Sequence, residues 1–177
     1  MVSKEPIIAT FVNEKVITEN TDFARDLYAK SRFGIISRGK VILAPLEVLF
    51  LVDREKLIVH DSRKKPITFE RLMKRFKRLV PEVWTRYQVF RDLRKRGYIV
   101  KTALKFGAEF RVYDKGIKPG EDHAKWVVYP VPEDQRFTWY EFSAKNRVAH
   151  STKKRLLIGI VDNEGDVTYY EIKWMRP

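Results

Sequence analysis

The 177 residues carry a formal net charge of +13, no cysteine, and 44% hydrophobic against 33% charged side chains. This balance excludes a disordered chain, and the missing thiols exclude disulfides and cysteine-held metals. No apolar run approaches the roughly 20 residues that span a bilayer, so no membrane partner is expected. The opening Met1-Val-Ser-Lys-Glu5 lacks the charged-then-apolar layout of a secretory leader, which makes a cytoplasmic location the default. Two Gln and four Asn beside many Lys, Arg and Glu give the compositional bias of proteins from hot environments.

In chain order, Pro6 to Val12 and Lys15 to Thr18 alternate loosely and predict a small hairpin. Asn20-Thr-Asp22 supplies capping residues for a short helix through Leu27 and Lys30, ended near Gly34. Phe33 to Ser37 and Lys40 to Leu43 read as strands around Arg38-Gly39. Pro45 opens a nearly all-apolar helix, Leu46 to Val52, of the kind that must be buried. Leu57 to His60 is a further short strand.

Thr68 predicts the cap of a helix with Leu72, Phe76 and Leu79 on one face. Pro81 opens another, with Val83, Tyr87 and Phe90 inward, Arg86, Arg91, Arg94 and Lys95 outward, and Gly97 as its stop. Strands follow at Tyr98 to Leu104, Glu109 to Tyr113 and Lys125 to Val131. Thr138-Trp-Tyr-Glu141 has capping-box spacing for a helix to about Ala149. Strands from Arg155 to Val161 and from Val167 to Trp174 are joined by Asp162-Asn-Glu-Gly-Asp166, a hairpin signal.

This order predicts an α+β protein. A small N-terminal α/β domain covers residues 1–80, with a basic helical connector from about 63, and a C-terminal mixed-sheet domain with flanking helices covers 81–177. The charge is concentrated in the connector. Residues 1–62 are neutral overall, residues 63–101 hold fourteen basic against three acidic side chains, and residues 102–177 are nearly balanced. A basic block of net +11 is an electrostatic footprint for phosphates, although a solvated helix face gives the same pattern.

Metal-free RNA cleavage uses the 2′-hydroxyl as nucleophile and needs a base, an acid for the departing 5′-oxygen, and a cation for the charge gained on phosphorus. Histidine suits the acid, with a reference pKa of about 6.5. Tyrosine serves as base where cations favour its phenolate, and lysine is a compact charge for a phosphoryl oxygen. Tyr113 closes one strand, His123 opens the next, and Lys154 lies where helix passes to strand, with Lys115 and Lys125 as further cations. Spacing alone does not select these three. Tyr113 also fits a half-buried strand position, and His123 an ordinary loop.

From about Tyr87 onward the chain resembles the catalytic domain of tRNA-intron (splicing) endonucleases. The likeness is carried by Tyr87-Gln-Val-Phe-Arg-Asp-Leu-Arg-Lys-Arg-Gly-Tyr98, Phe110-Arg-Val-Tyr113, His123-Ala-Lys-Trp-Val-Val128 and Asn146-Arg-Val-Ala-His-Ser-Thr-Lys-Lys154. The N-terminal part is similar to the small domain of archaeal members. The resemblance implies a restriction-endonuclease-like topology and the roles of general base for Tyr113, general acid for His123 and transition-state stabiliser for Lys154. It implies products with 2′,3′-cyclic phosphate and 5′-hydroxyl ends. Lys154 is favoured over Lys153 because the family's lysine stands one residue before the apolar strand, here Leu156-Leu-Ile158. The family commonly has arginine where this chain has Lys153.

The resemblance also implies that Arg147 and Trp174 sandwich a bulged base, for which a guanidinium and an indole are suited, although Trp174 also alternates in phase with Tyr170 and Ile172. It further implies a precursor tRNA with two bulges flanking a short helix as substrate, a homotetramer, and a docking loop at Asp162, Glu164 and Asp166. No cofactor and no metal site are expected. His60 and His150 receive no role. Two competing readings stand beside this one. Arg86 to Arg96 with the following strand fits a non-catalytic winged-helix nucleic-acid binder. Glu171-Ile-Lys173 behind Asp162 or Asp166 fits a metal-dependent nuclease.

Overall fold

Short strands of alternating pattern and one apolar helix build the N-terminal half of this computed structural model, which describes residues 5–103 and 107–175. The chain divides into two compact units, Met1–Tyr87 and Gln88–Pro177. In the first, β1 (Ile7–Val12) and β2 (Lys15–Thr18) form the expected hairpin. Thr21 caps α1 (Asp22–Ser31), its hydroxyl accepting from the Ala24 amide at 3.2 Å. β3 (Ile35–Ser37), β4 (Lys40–Leu43) and β5 (Leu57–His60) complete a sheet ordered β3-β4-β2-β1-β5, in which β5 runs parallel to β1.

α2 (Pro45–Asp53) is buried as its composition requires. Its one charged inner residue, Glu47, is 5% exposed, and one carboxylate oxygen accepts from the Gly34 and Ala44 amides at 2.9 Å each. A buried carboxylate is tolerable where backbone donors meet it, so Glu47 closes the start of its own helix and ties down the preceding turn. α3 (Phe69–Phe76) is capped by Thr68 and buries Leu72 and Phe76.

The division between units falls inside α4 (Val83–Lys95). Val83, Tyr87 and Phe90 are buried as the periodicity predicts, and Val89, Leu93 and the polar Gln88 are buried with them.

The second unit carries the sheet β10-β9-β8-β7-β6. Its strands are β6 (Ile99–Thr102), β7 (Phe110–Tyr113), β8 (Trp126–Pro132), β9 (Arg155–Val161) and β10 (Val167–Ile172). Two expected strands are trimmed. Leu104 lies outside the described residues, and β10 stops at Ile172, which leaves Trp174 beyond the strand. All pairings are antiparallel except β8 with β9, and α5 (Trp139–Ser151) is the crossover that a parallel pair needs.

Register separates the faces of this sheet. Val127, Tyr129, Leu156 and Ile158 point to one side and form the core with Ala149 of α5, joined by Phe142 and Ile172. The other side meets α4, where Phe90 packs on Phe110 with ring centroids 6.0 Å apart. Gly159 permits that approach, because a Cβ there would stand 3.0 Å from Val89. With two mixed sheets and helices, the expected α+β class is the one observed.

Candidate active site

β7 and β8 are antiparallel, so the C-terminal end of β7 lies beside the start of β8. β8 and β9 are parallel, so their starts coincide. Tyr113 ends β7, His123 precedes β8 and Lys154 precedes β9, and topology therefore delivers all three to one end of the sheet. They line a single cleft of about 370 Å³ together with Arg111, Gly120, Glu121, Asp122 and Ala124.

Each side chain is held by a local device. Tyr113 is 4% exposed, pinned by the β7 ladder opposite Ile99. His123 is exposed at the end of the connecting loop, where its amide donates to the Asp122 carboxylate at 2.6 Å. The loop is closed by the Lys118 amide donating to Glu121 at 3.0 Å.

Lys154 is set by the way α5 ends. The Lys154 amide donates to the Ala149 carbonyl at 2.8 Å and the Lys153 amide to the His150 carbonyl at 3.0 Å. These are the two bonds of a Schellman motif, with Lys153 in the left-handed region at φ 55° where glycine is usual. The Lys154 ammonium then donates to the Thr152 carbonyl at 2.8 Å. Burial, and after it the Arg111 guanidinium, hold this lysine below the usual lysine range.

Lys115 and Lys125, read from sequence as cations serving Tyr113, are engaged elsewhere. Lys125 donates to Asp114 at 2.8 Å and lies 4.4 Å from the Trp126 ring centroid, and Lys115 stands over Tyr98. The Lys125 hydrogen bond, followed by the Lys115 amide, holds the Asp114 carboxyl below its ordinary range. Arg111 is the cation beside the tyrosine, its guanidinium carbon 5.9 Å from the Tyr113 ring centroid. The sequence offered a signal for it, since residues two apart on a strand share a face.

Trp174 is 46% exposed, and its ring lies against His150, centroids 4.6 Å apart and tilted by 44°. His150, given no role from sequence, is thus the aromatic neighbour of Trp174. Arg147 is exposed one turn earlier on α5, its guanidinium 5.8 Å from the Tyr140 ring. In the acidic turn, Asp162 accepts from the amides of Glu164 and Asp166 at 2.9 Å each, and Gly165 adopts φ 89°. Asp162 therefore shapes the turn, whereas Glu164 and Asp166 are exposed.

The Glu171 carboxylate accepts from the Trp126 indole at 2.7 Å and from Arg155 at 3.0 Å. The indole bond leads in lowering its pKa. Among the described residues no group of three or more His, Asp or Glu is placed to hold a metal ion, and no helix is long and apolar enough to cross a membrane.

Comparison with known proteins matches residues 83–169 to the tRNA intron endonuclease catalytic C-terminal domain and residues 7–73 to the tRNA intron endonuclease N-terminal domain. The chain is 39% identical over 171 residues to the tRNA-splicing endonuclease of Thermococcus kodakarensis, covering 96% of this chain and 99% of the relative. It is 38% identical over 167 residues to that of Methanothermobacter thermautotrophicus, covering 93% and 95%. It is 42% identical over 138 residues to that of Nanoarchaeum equitans, covering 75% and 88%.

Proposed function

This chain belongs to the tRNA intron endonuclease family, and from that membership we propose an endoribonuclease that excises introns from precursor tRNA at bulge–helix–bulge sites. The observation that carries the reading is the cleft that gathers Tyr113, His123 and Lys154 at one end of the sheet.

Tyr113 takes the proton from the 2′-hydroxyl, whose oxygen attacks the adjacent phosphorus. The bond from phosphorus to the 5′-oxygen breaks as His123 protonates that oxygen. Lys154 sits over the equatorial oxygens, where the second negative charge develops. The products are a 2′,3′-cyclic phosphate and a 5′-hydroxyl, with no oxidant or co-reactant. A cation fixed in place before the charge appears acts with little reorganisation, which is why such groups are worth most in a partly closed site. Arg147 and Trp174 offer a guanidinium and an indole for stacking a bulged base.

Two cuts at a fixed separation call for two sites held in one assembly, and the family resemblance implies that this assembly is a homotetramer. The turn carrying Glu164 and Asp166 docks on a basic surface of a neighbouring copy. Replacing both by lysine should lower the mass measured by light scattering to that of a dimer, and an unchanged mass would discard the docking loop.

The test of the reaction is cleavage of a bulge–helix–bulge precursor tRNA in EDTA, with His123→Ala alongside and the new ends mapped. Two cuts leaving cyclic phosphates, lost in the variant, are expected. Tight binding without cutting would favour the winged-helix reading, and cutting only after magnesium is restored would sink the triad.

A further inference from the structure

We propose that Arg111 is a fourth functional residue of the cleft, a phosphate-binding group that shares the phosphoryl oxygens with Lys154. This rests on the endonuclease reading for its substrate and on separate observations for the residue.

Arg111 lines the same cleft as Tyr113, His123 and Lys154. It stands two residues before Tyr113 on β7, which places both side chains on one face. Register confirms the face, since Arg111 is opposite Val127, a core residue on the α5 side. Its Nε is buried and has no hydrogen-bond partner. Burial first, and the Arg111 charge after it, disfavour the Lys154 ammonium.

A guanidinium with a buried unused donor, beside a second cation in one cleft, favours an anionic ligand. Glu121 accepts from the Lys118 amide and Asp122 from the His123 amide, and among the described residues neither pairs with Arg111. A phosphodiester carries one negative charge and gains a second in the transition state. A guanidinium matches this with parallel donors and an ammonium with a point charge, so the pair covers two oxygens rather than competing for one.

The experiment compares wild type, Arg111→Gln and Arg111→Lys on a bulge–helix–bulge RNA in EDTA. Single-turnover rates at saturating enzyme are followed from neutral pH to beyond the usual lysine range. The same RNA with 2′-deoxyribose at the cut sites gives affinities at several salt concentrations. Arg111→Gln should lower the saturating rate by about 10²-fold, the size of loss when one preorganised donor is removed. Arg111→Lys should recover part of that rate. The alkaline limb of the glutamine variant should move to higher pH, because Lys154 no longer faces a second cation. The slope of log K against log salt should fall by about 0.7 for one lost phosphate contact.

A glutamine variant with the wild-type rate, alkaline limb and salt slope would overturn the assignment. Should that variant lose its melting transition, Arg111→Met, which keeps the apolar stem and removes the charge, decides in its place, and a wild-type rate and salt slope there would overturn it equally. Failure of the wild type to cut would sink the endonuclease reading, whereas the salt slope would still pass or fail Arg111 by itself.

Discussion

The two ends of α5 are built on opposite principles. At the start, Thr138 accepts from the Glu141 amide at 3.2 Å while the Glu141 carboxylate accepts from the Thr138 amide at 2.8 Å. This reciprocal cap satisfies donors that the helix cannot satisfy internally, and it lies away from the cleft residues. At the far end a lysine occupies a left-handed position that favours glycine, and the next residue is a lysine whose ammonium is partly desolvated near an arginine. Local preference is obeyed at one end and violated at the other. The chain adopts positive φ at seven other described non-glycine residues, the end of α1 at Arg32 among them, but at Lys153 the left-handed turn delivers the next residue, Lys154, to the cleft.

Removing the far-end ammonium sharpens this contrast most. Lys154→Gln should lower the cleavage rate by about 10² to 10³-fold, the range for loss of one preorganised electrostatic group. It should not lower the melting temperature. The sign follows from linkage. The folded-state pKa of Lys154 is depressed, so the unfolded chain binds the proton more readily, and the ammonium costs the folded state at neutral pH. The same depression fixes the wild-type profile. The charged form is present at all pH below the folded value, so cleavage should fall away on the alkaline side before the usual lysine range is reached. A glutamine variant that melted clearly lower would show that Lys154 holds the fold rather than the substrate.

The sequence made the first end of α5 legible and left the second hidden for identifiable reasons. A capping box is a four-residue signal, and so are the cap at Thr21 and the turn at Arg38-Gly39, each of which the chain adopts. The Schellman motif carried no signal, because Lys153 stands where glycine would have announced it. Tyr113, His123 and Lys154 could be grouped only through resemblance, since their meeting depends on strand order and on a parallel pair with a helical crossover. The partners of Lys115 and Lys125, Tyr98 and Asp114, were not legible because a long flexible lysine takes whichever group its surroundings present. His150 meets Trp174 across some 24 residues of chain, a distance that no local period encodes.

Thermal melting compares the two ends directly, with smaller effects. Thr138→Ala removes the cap and should cost about 1 kcal/mol, or roughly 2–4 °C for a chain of this size, with the cleavage rate at saturating enzyme unchanged. Lys153→Gly acts in the other direction. It relieves about 1 kcal/mol of left-handed strain but frees the unfolded backbone, so the net gain is roughly 0.5 kcal/mol. The amides that place Lys154 belong to the backbone, so the Schellman bonds survive the substitution and cleavage should persist. A glycine variant that melts higher and still cuts would assign the strain to Lys153 and the chemistry to Lys154. Loss of cutting with an intact melt would instead make the Lys153 side chain part of the site, and the two ends of the helix would then differ in chemistry alone.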